Sequence, residues 1–343
     1  MSRRSLPGVG LAVAVAVAMA GGTRPEAADT WDAAAAARYL DARMDLWWAK
    51  AKPLKTGSGT TKCLSCHTAI PYALARPMLR MAMGVAEPTA HEARIQETLR
   101  LRVEHVGDEA PYYDHTDAKK RESAGVEAVT AAWLLTRTDT LGRSARPSDT
   151  TRQAMARLWA VQRPDGAWDW LDFGLEPYET TDAAFHGATL AAMAAGSVPG
   201  RAASADAAGR AGIERLRTYL HDRLPAQRRF NKAWALMASP GFTGVMTAAE
   251  RDAIVRDLES AQRADGGWSL ADLGEWRWSK GDGPYAAPGA TDATLLAASD
   301  AYATGLVVHA LREAGRTPAD SAVARGQSWL RTHQVAGRAD DPA

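Results

Sequence analysis

The chain has 343 residues, 46% of them hydrophobic, enough for one large or two ordinary domains with a sizeable core. Its 41 Lys+Arg and 40 Asp+Glu leave a net charge of +1, which argues against a nucleic-acid partner. Alanine is abundant and β-branched runs are scarce, a composition that favours helices.

The N-terminus reads Met1-Ser2-Arg3-Arg4, then an apolar Ala/Val-rich run from Gly8 to Ala20, then Gly21-Gly22. A basic start, a short apolar stretch and the small-residue site Ala18-Met19-Ala20 make residues 1–20 a secretory signal peptide, with cleavage expected after Ala20 and an uncleaved anchor as the alternative. The run is short for a membrane span, and no other is long enough. The expected location is therefore exported, in the periplasm.

A helix is expected over residues 30–50, closed by Trp47-Trp48, and a Gly/Thr-rich loop over Lys55 to Lys62. There follows Cys63-Leu64-Ser65-Cys66-His67, which holds the chain's only two cysteines. C-x-x-C followed at once by His is the signature of covalent c-type haem attachment. Two thiols at this spacing can each add to a vinyl group on one porphyrin edge. The adjacent His67 is then carried under the ring to ligate the iron as proximal ligand. A disulfide remains open in an oxidising compartment. Zinc would want further Cys/His ligands that are missing, and a thioredoxin-like pair would want a βαβ context. The expected cofactor is one covalent haem c. For its distal ligand Met81 and His115 are the candidates, among Met44, Met78, Met83, His91 and His105.

Helices are expected over residues 68–84, 90–104 and 122–136, with a turn at Pro111 to Asp117. Ser148 is placed to N-cap a helix running to Gln162. From here the chain repeats itself. Leu158-Trp159-Ala160-Val161-Gln162-Arg163-Pro164-Asp165-Gly166-Ala167-Trp168 returns as Leu258-Glu259-Ser260-Ala261-Gln262-Arg263-Ala264-Asp265-Gly266-Gly267-Trp268, with a truncated copy at Trp329 to Gln334. A Gly/Ala-rich helix alternates with these units, so the unit is a helical hairpin. Hairpins are expected near residues 121–162, 182–220, 228–262 and 291–334, with two more in residues 30–107. Such hairpins bury their faces only by stacking. The expected fold class is all-α, an α/α toroid of helical hairpins. Residues 21–110 are expected to form a haem-bearing N-terminal segment and residues 111–343 the repeats, continuous with 30–110 as one domain in this reading.

The L-x₃-Q-x₂-D-G-x-W loops resemble the QW motifs of squalene-hopene and other class II triterpene cyclases, over about Glu122 to Gln334. The resemblance implies an α/α toroid, like that of the related prenyltransferase β-subunits. It also implies that Gln162 and Gln262 tie adjacent helix ends and stack on Trp168 and Trp268. The protonating D-x-D-D motif of those cyclases is absent here, Asp165, Asp169 and Asp172 being differently spaced. A C-x-x-C-H segment ahead of cyclase-like repeats is similar to a group of bacterial exported proteins.

Two aromatic- and carboxylate-rich loops, Trp168 to Asp182 and Trp268 to Tyr285, follow corresponding repeats and are expected at one end of the fold. They suit an apolar or cationic ligand, or a Trp-rich packing layer. Asp182 and His186, at i and i+4, have Asp300 and Thr304 as counterparts. Asp182, His186 and Asp300 are the candidate catalytic residues, with helix capping as the competing role of the two aspartates. Three functions follow. The first is a periplasmic monohaem c-type protein in electron transfer with a redox partner protein or a small apolar substrate. The second is a haem-independent isomerase or lyase acting on an isoprenoid. The third is a non-catalytic binding or scaffold module.

Overall fold

The computed structural model describes residues 31–56, 59–64, 68–107, 110–199, 206–274, 276 and 298–334. The expected signal peptide, Ser65, Cys66, His67 and the stretch containing Trp278 and Tyr285 lie outside them. Eleven α-helices and one two-stranded sheet occur among the described residues, so the chain is mostly helical as its composition requires.

The first helix, α1 (Ala33–Lys50), starts where Asp32 accepts the Ala35 N–H at 2.8 Å. The stretch expected as a loop is instead an antiparallel hairpin of β1 (Pro53–Thr56) and β2 (Gly59–Lys62). Leu54 and Thr61 face each other in this register, and both are buried. Four-residue strands give too little alternation to be seen in the sequence. Beyond the motif, α2 (Ala69–Ala82) and α3 (Ala90–Glu104) follow, the latter with a Thr89/Glu92 capping box.

Expected over 122–136, α4 runs longer, over Asp117–Leu141. Thr116 caps it through the Lys119 N–H, ahead of a charged first turn that hides the start. After Ser148, which caps as expected, come α5 (Asp149–Ala160), α6 (Ala184–Ser197), α7 (Ala207–Arg223), α8 (Arg229–Ala238) and α9 (Ala248–Ser260). The last two are α10 (Ala301–Glu313) and α11 (Ser321–Thr332). The pairs α4/α5, α6/α7, α8/α9 and α10/α11 are the expected hairpins, and α2/α3 is one of the two expected upstream. In place of the other, α1 is followed by the β-hairpin.

The helices form two rows. In one, α2 packs on α4, α4 on α6, α6 on α8 and α8 on α10. In the other, α3 packs on α5 and α5 on α7. The first row is the inner one: α6 is buried at every position from Ala184 to Ala192, and α4 at every position from Gly125 to Thr136. Such helices must be nearly free of large polar groups, which is why they are the Gly/Ala-rich members. A single apolar cluster runs from Met44 to Val323, so the N-terminal helices share the core of the repeats.

The repeated loops join the rows. The Trp168 and Trp268 side chains are fully buried, and their indole N–H groups donate to Leu158 O at 2.9 Å and Leu258 O at 2.8 Å. Gln162 Nε2 donates to Gly166 O in its own turn and to Gly212 O in α7, both at 3.0 Å. Gln262 repeats this toward Gly266 O and Ala322 O in α11, both at 2.8 Å. Each glutamine therefore ties a turn to the next outer helix, as the resemblance implies. Gly166 holds φ at +97°, and a Cβ there would meet Arg215 O at 2.3 Å. At the ends of the array, Asp32 N–H donates to Gln334 Oε1 at 2.8 Å, and Gln334 Nε2 returns a bond to Asp32 O at 2.9 Å.

Truncating Trp168 or Trp268 to alanine is expected to lower stability by about 3–5 kcal/mol, since each change opens a cavity and orphans a carbonyl. Urea unfolding followed by circular dichroism measures this. A loss below about 1 kcal/mol would mean the loops do not anchor the rows.

Candidate functional site

The residues leading into the Cys63-Leu64-Ser65-Cys66-His67 string are fastened to a buried ion pair. Arg102 of α3 and Glu127 of α4 are 2% and 3% exposed. The Arg102 guanidinium forks onto Glu127, with Nε donating to Oε1 and Nη2 to Oε2 at 3.0 Å. Its other N–H groups reach Thr61 Oγ1 at 3.1 Å and Ala110 O at 2.9 Å, and it lies over the Tyr112 ring at 4.7 Å. Arg157 of α5 stands 3.7 Å from Glu127. Thr61 is two residues before Cys63, so this pair holds the entry to the motif against three helices. The sequence signal for this pair is a lone glutamate inside the apolar run Ala124-Gly125-Val126-Glu127-Ala128-Val129.

Cys63 itself is half-buried, with a free thiol. Trp47 Nε1 donates to its carbonyl at 3.0 Å, and Leu64 beside it is in the core. Burial pushes the Cys63 thiol up to about 12; Arg102 opposes this, while Glu127 and Glu179 add to it. His115 is exposed, in the turn between Tyr112 and α4. The helix α2 carries Met81 roughly 20 Å along its axis from Thr68, to an exposed position on a groove of about 910 Å³ lined also by Arg80, Glu92 and Arg137.

The two aromatic loops converge, as expected, as far as they are described. Trp170 Nε1 donates to Tyr178 O at 2.8 Å, folding the first loop back on itself. Arg228, just before α8, bridges the loops: it pairs with the buried Glu176 at 3.1 Å and lies 5.2 Å over the Trp276 ring. The Phe230 ring contacts Tyr178 and Trp276, each at 5.6 Å, and Tyr302 of α10 at 6.5 Å. The Tyr178 and Tyr302 hydroxyls bond to each other. Tyr302 keeps 42% of its surface, yet burial holds its hydroxyl well above the ordinary phenol range. The ring is covered on one side by the aromatic cluster and open to water on the other.

The three candidate catalytic residues separate. Asp182 sits in a 3₁₀ turn ahead of α6 with its side chain 71% exposed, 3.9 Å from Arg228 Nη2. It does not cap α6, whose N-cap is Ala183 without a side-chain bond. Asp300 does cap α10: Oδ1 accepts the Ala303 N–H at 2.7 Å, and Oδ2 accepts the Leu270 N–H at 2.6 Å. Thr304 is tied to both the N–H and the carbonyl of Trp268, so it too fastens a loop.

His186 alone is neither exposed nor consumed by a cap. It is 5% exposed among the rings of Trp234, Tyr178, Phe230 and Trp170, at 4.6, 5.5, 5.9 and 6.1 Å between centroids. Its Nδ1 is buried without a hydrogen-bond partner, and so is Trp234 Nε1 beside it. Desolvation lowers the His186 pKa to about 3, so the imidazole is neutral at physiological pH. Trp234, Tyr302 and Phe230 are absent from the expected site because only the packing of α8 on α6 and of α10 on α8 brings them there.

No group of three or more His, Cys, Asp or Glu that could hold a metal ion occurs among the described residues. Among them, too, no helix is long and apolar enough to cross a membrane. No protein-family model matches this chain, and searches of curated proteins and solved structures yield no match.

Two outcomes follow from the buried groups. Replacing Glu127 with alanine leaves Arg102 charged and buried without its partner, an expected cost of about 3–5 kcal/mol in urea unfolding. For His186 the folded pKa lies below the unfolded value of about 6.5. The unfolded chain therefore binds the extra proton first. Stability is complete above about pH 6.5 and falls as pH drops toward about 3. In His186→Phe the stability loss between pH 6.5 and 4.5 should shrink by up to about 1.4 kcal/mol per pH unit. His309, exposed but with its pKa also lowered by partial desolvation, adds a slope of its own. An unchanged slope would show that His186 protonates freely in the folded state.

Proposed function

We propose that the chain is an exported monohaem c-type protein that transfers electrons, built on an α/α toroid. The observation that carries this reading is the string Cys63-Leu64-Ser65-Cys66-His67. Residues present around it fit the group. A thiol pushed up by burial is a poor thiolate, so Cys63 suits neither a redox dithiol nor a zinc thiolate. Its surroundings do suit an uncharged thioether. In this reading Cys63 and Cys66 hold the haem, and His67 is its proximal ligand. When bound, the haem supplies a one-electron couple.

The toroid is supported by the two rows and by the reciprocal bonds that join Asp32 to Gln334, residues from opposite ends of the array. The chain's own residues would then act in three ways. Arg102 and Glu127 fix the approach to the motif. The loops after Trp168 and Trp268, with Tyr178 and Tyr302, would supply an aromatic wall. Trp47 would orient the backbone of Cys63. The isomerase reading needs a proton donor in the aromatic cluster. Asp182 faces solvent and the oxygens of Asp300 are taken by backbone N–H groups, so neither candidate acid serves it.

The test is expression with its leader in a bacterium carrying a c-type maturation system, followed by a pyridine haemochrome spectrum. One covalent haem per chain is expected, with haem staining after denaturing electrophoresis. Cys63→Ser and Cys66→Ser together should abolish the stain while circular dichroism keeps its helical signal. A folded, colourless wild-type product would overturn the proposal.

A further inference from the structure

Two unpaired polar atoms in one aromatic enclosure need an explanation, because buried polar groups in folded proteins are almost always hydrogen-bonded. His186 Nδ1 and Trp234 Nε1 are such atoms, on rings 4.6 Å apart. One lies on the inner helix α6, the other on α8, the next inner helix. Around them stand Trp170, Tyr178 and Phe230, with Trp133 of α4 6.3 Å from Trp234. The wall is otherwise apolar and aromatic. Tyr302, 42% exposed, stands against Tyr178 and Phe230 of this cluster.

The chemistry of the pair is specific. An indole N–H only donates. A neutral imidazole with its proton on Nε2 accepts at Nδ1. Burial keeps His186 neutral, so that acceptor persists at physiological pH. One hydroxyl satisfies both groups, accepting from Trp234 and donating to His186. A carboxylate would bring an uncompensated charge into an apolar site. A hydrocarbon would leave both atoms unpaired. The rings favour a flat apolar body, which packs against aromatic faces and edges.

We propose that His186 and Trp234 form the recognition point of a binding site for a planar apolar molecule bearing a hydroxyl, a phenol in chemical class. The assignment does not depend on haem attachment at Cys63, and it goes beyond the electron-transfer reading by naming a small-molecule ligand for the aromatic enclosure.

The experiment is isothermal titration of the full chain with a matched pair of probes, 2-naphthol and 2-methylnaphthalene, which differ by a hydroxyl in place of a methyl group. 2-Naphthol is expected to bind roughly tenfold more tightly. In Trp234→Phe and in His186→Phe the ratio should fall below about threefold, with 2-methylnaphthalene affinity unchanged. Both variants replace an unpaired polar group with a ring, so circular dichroism melting should show no loss of stability. If His186→Phe does not fold, Trp234→Phe, which keeps a ring and removes the N–H, decides alone. Equal affinities in the wild type, no binding of either probe, or a preference that survives both variants would each overturn the proposal. The first two results would leave a trapped water as the partner of the two nitrogens. A colourless protein that still prefers 2-naphthol would sink the haem reading and leave this one standing.

Discussion

The architecture depends on the repeated turn in which a buried tryptophan and a glutamine act together. The indole N–H of Trp168 or Trp268 reaches back to the carbonyl ten residues earlier, at the end of the outer helix it follows. The glutamine just past that helix reaches forward to the next outer helix. One turn thus satisfies the carbonyls that a helix end leaves open and sets the offset between hairpins. Neither row could hold its spacing by apolar contact alone, because the hydrophobic effect is non-directional. The directional bonds convert a stack of greasy hairpins into one with a defined pitch.

That pitch decides what the inner helices enclose. Small residues on α4 and α6 let them approach closely. At Gly187 a Cβ would come within 2.4 Å of the Trp170 ring, so the aromatic loop lies directly on the helix backbone. The large rings gather toward the end where α6, α8 and α10 begin. The two features proposed to carry function are held by separate means: the approach to the Cys63 string by the Arg102–Glu127 ion pair, the aromatic cluster by loop packing.

Much of this was legible in the residues. The repeat announces itself in Gln162, Gln262, Trp168 and Trp268, and the ties these side chains make are those the cyclase-like pattern implies. Ser148 as a cap and the span of α3 follow from local chemistry that needs no tertiary context. Contrasting His186 with Thr304, its counterpart in the repeat, singled out the histidine, and the structure explains the contrast: Thr304 fastens a loop while His186 fastens nothing. What could not be read depends on contacts between distant residues. Nothing near Trp234 in the sequence points to His186, 48 positions away. Asp182 and Asp300 look equivalent in the repeat, yet only Asp300 caps, because α6 begins through a 3₁₀ turn that carries Asp182 out to solvent.

The reciprocal bonds between Asp32 and Gln334 join residues 302 positions apart, through two hydrogen bonds at exposed positions. Most other ties join neighbouring hairpins, the Tyr178–Tyr302 bond across 124 positions being another long one. Closing so long a loop costs more entropy than forming any single hairpin, though only logarithmically more. The hairpins can assemble one upon another without it, so the pair of bonds adds a direct tie between the first and last described helices that no packing of adjacent hairpins supplies.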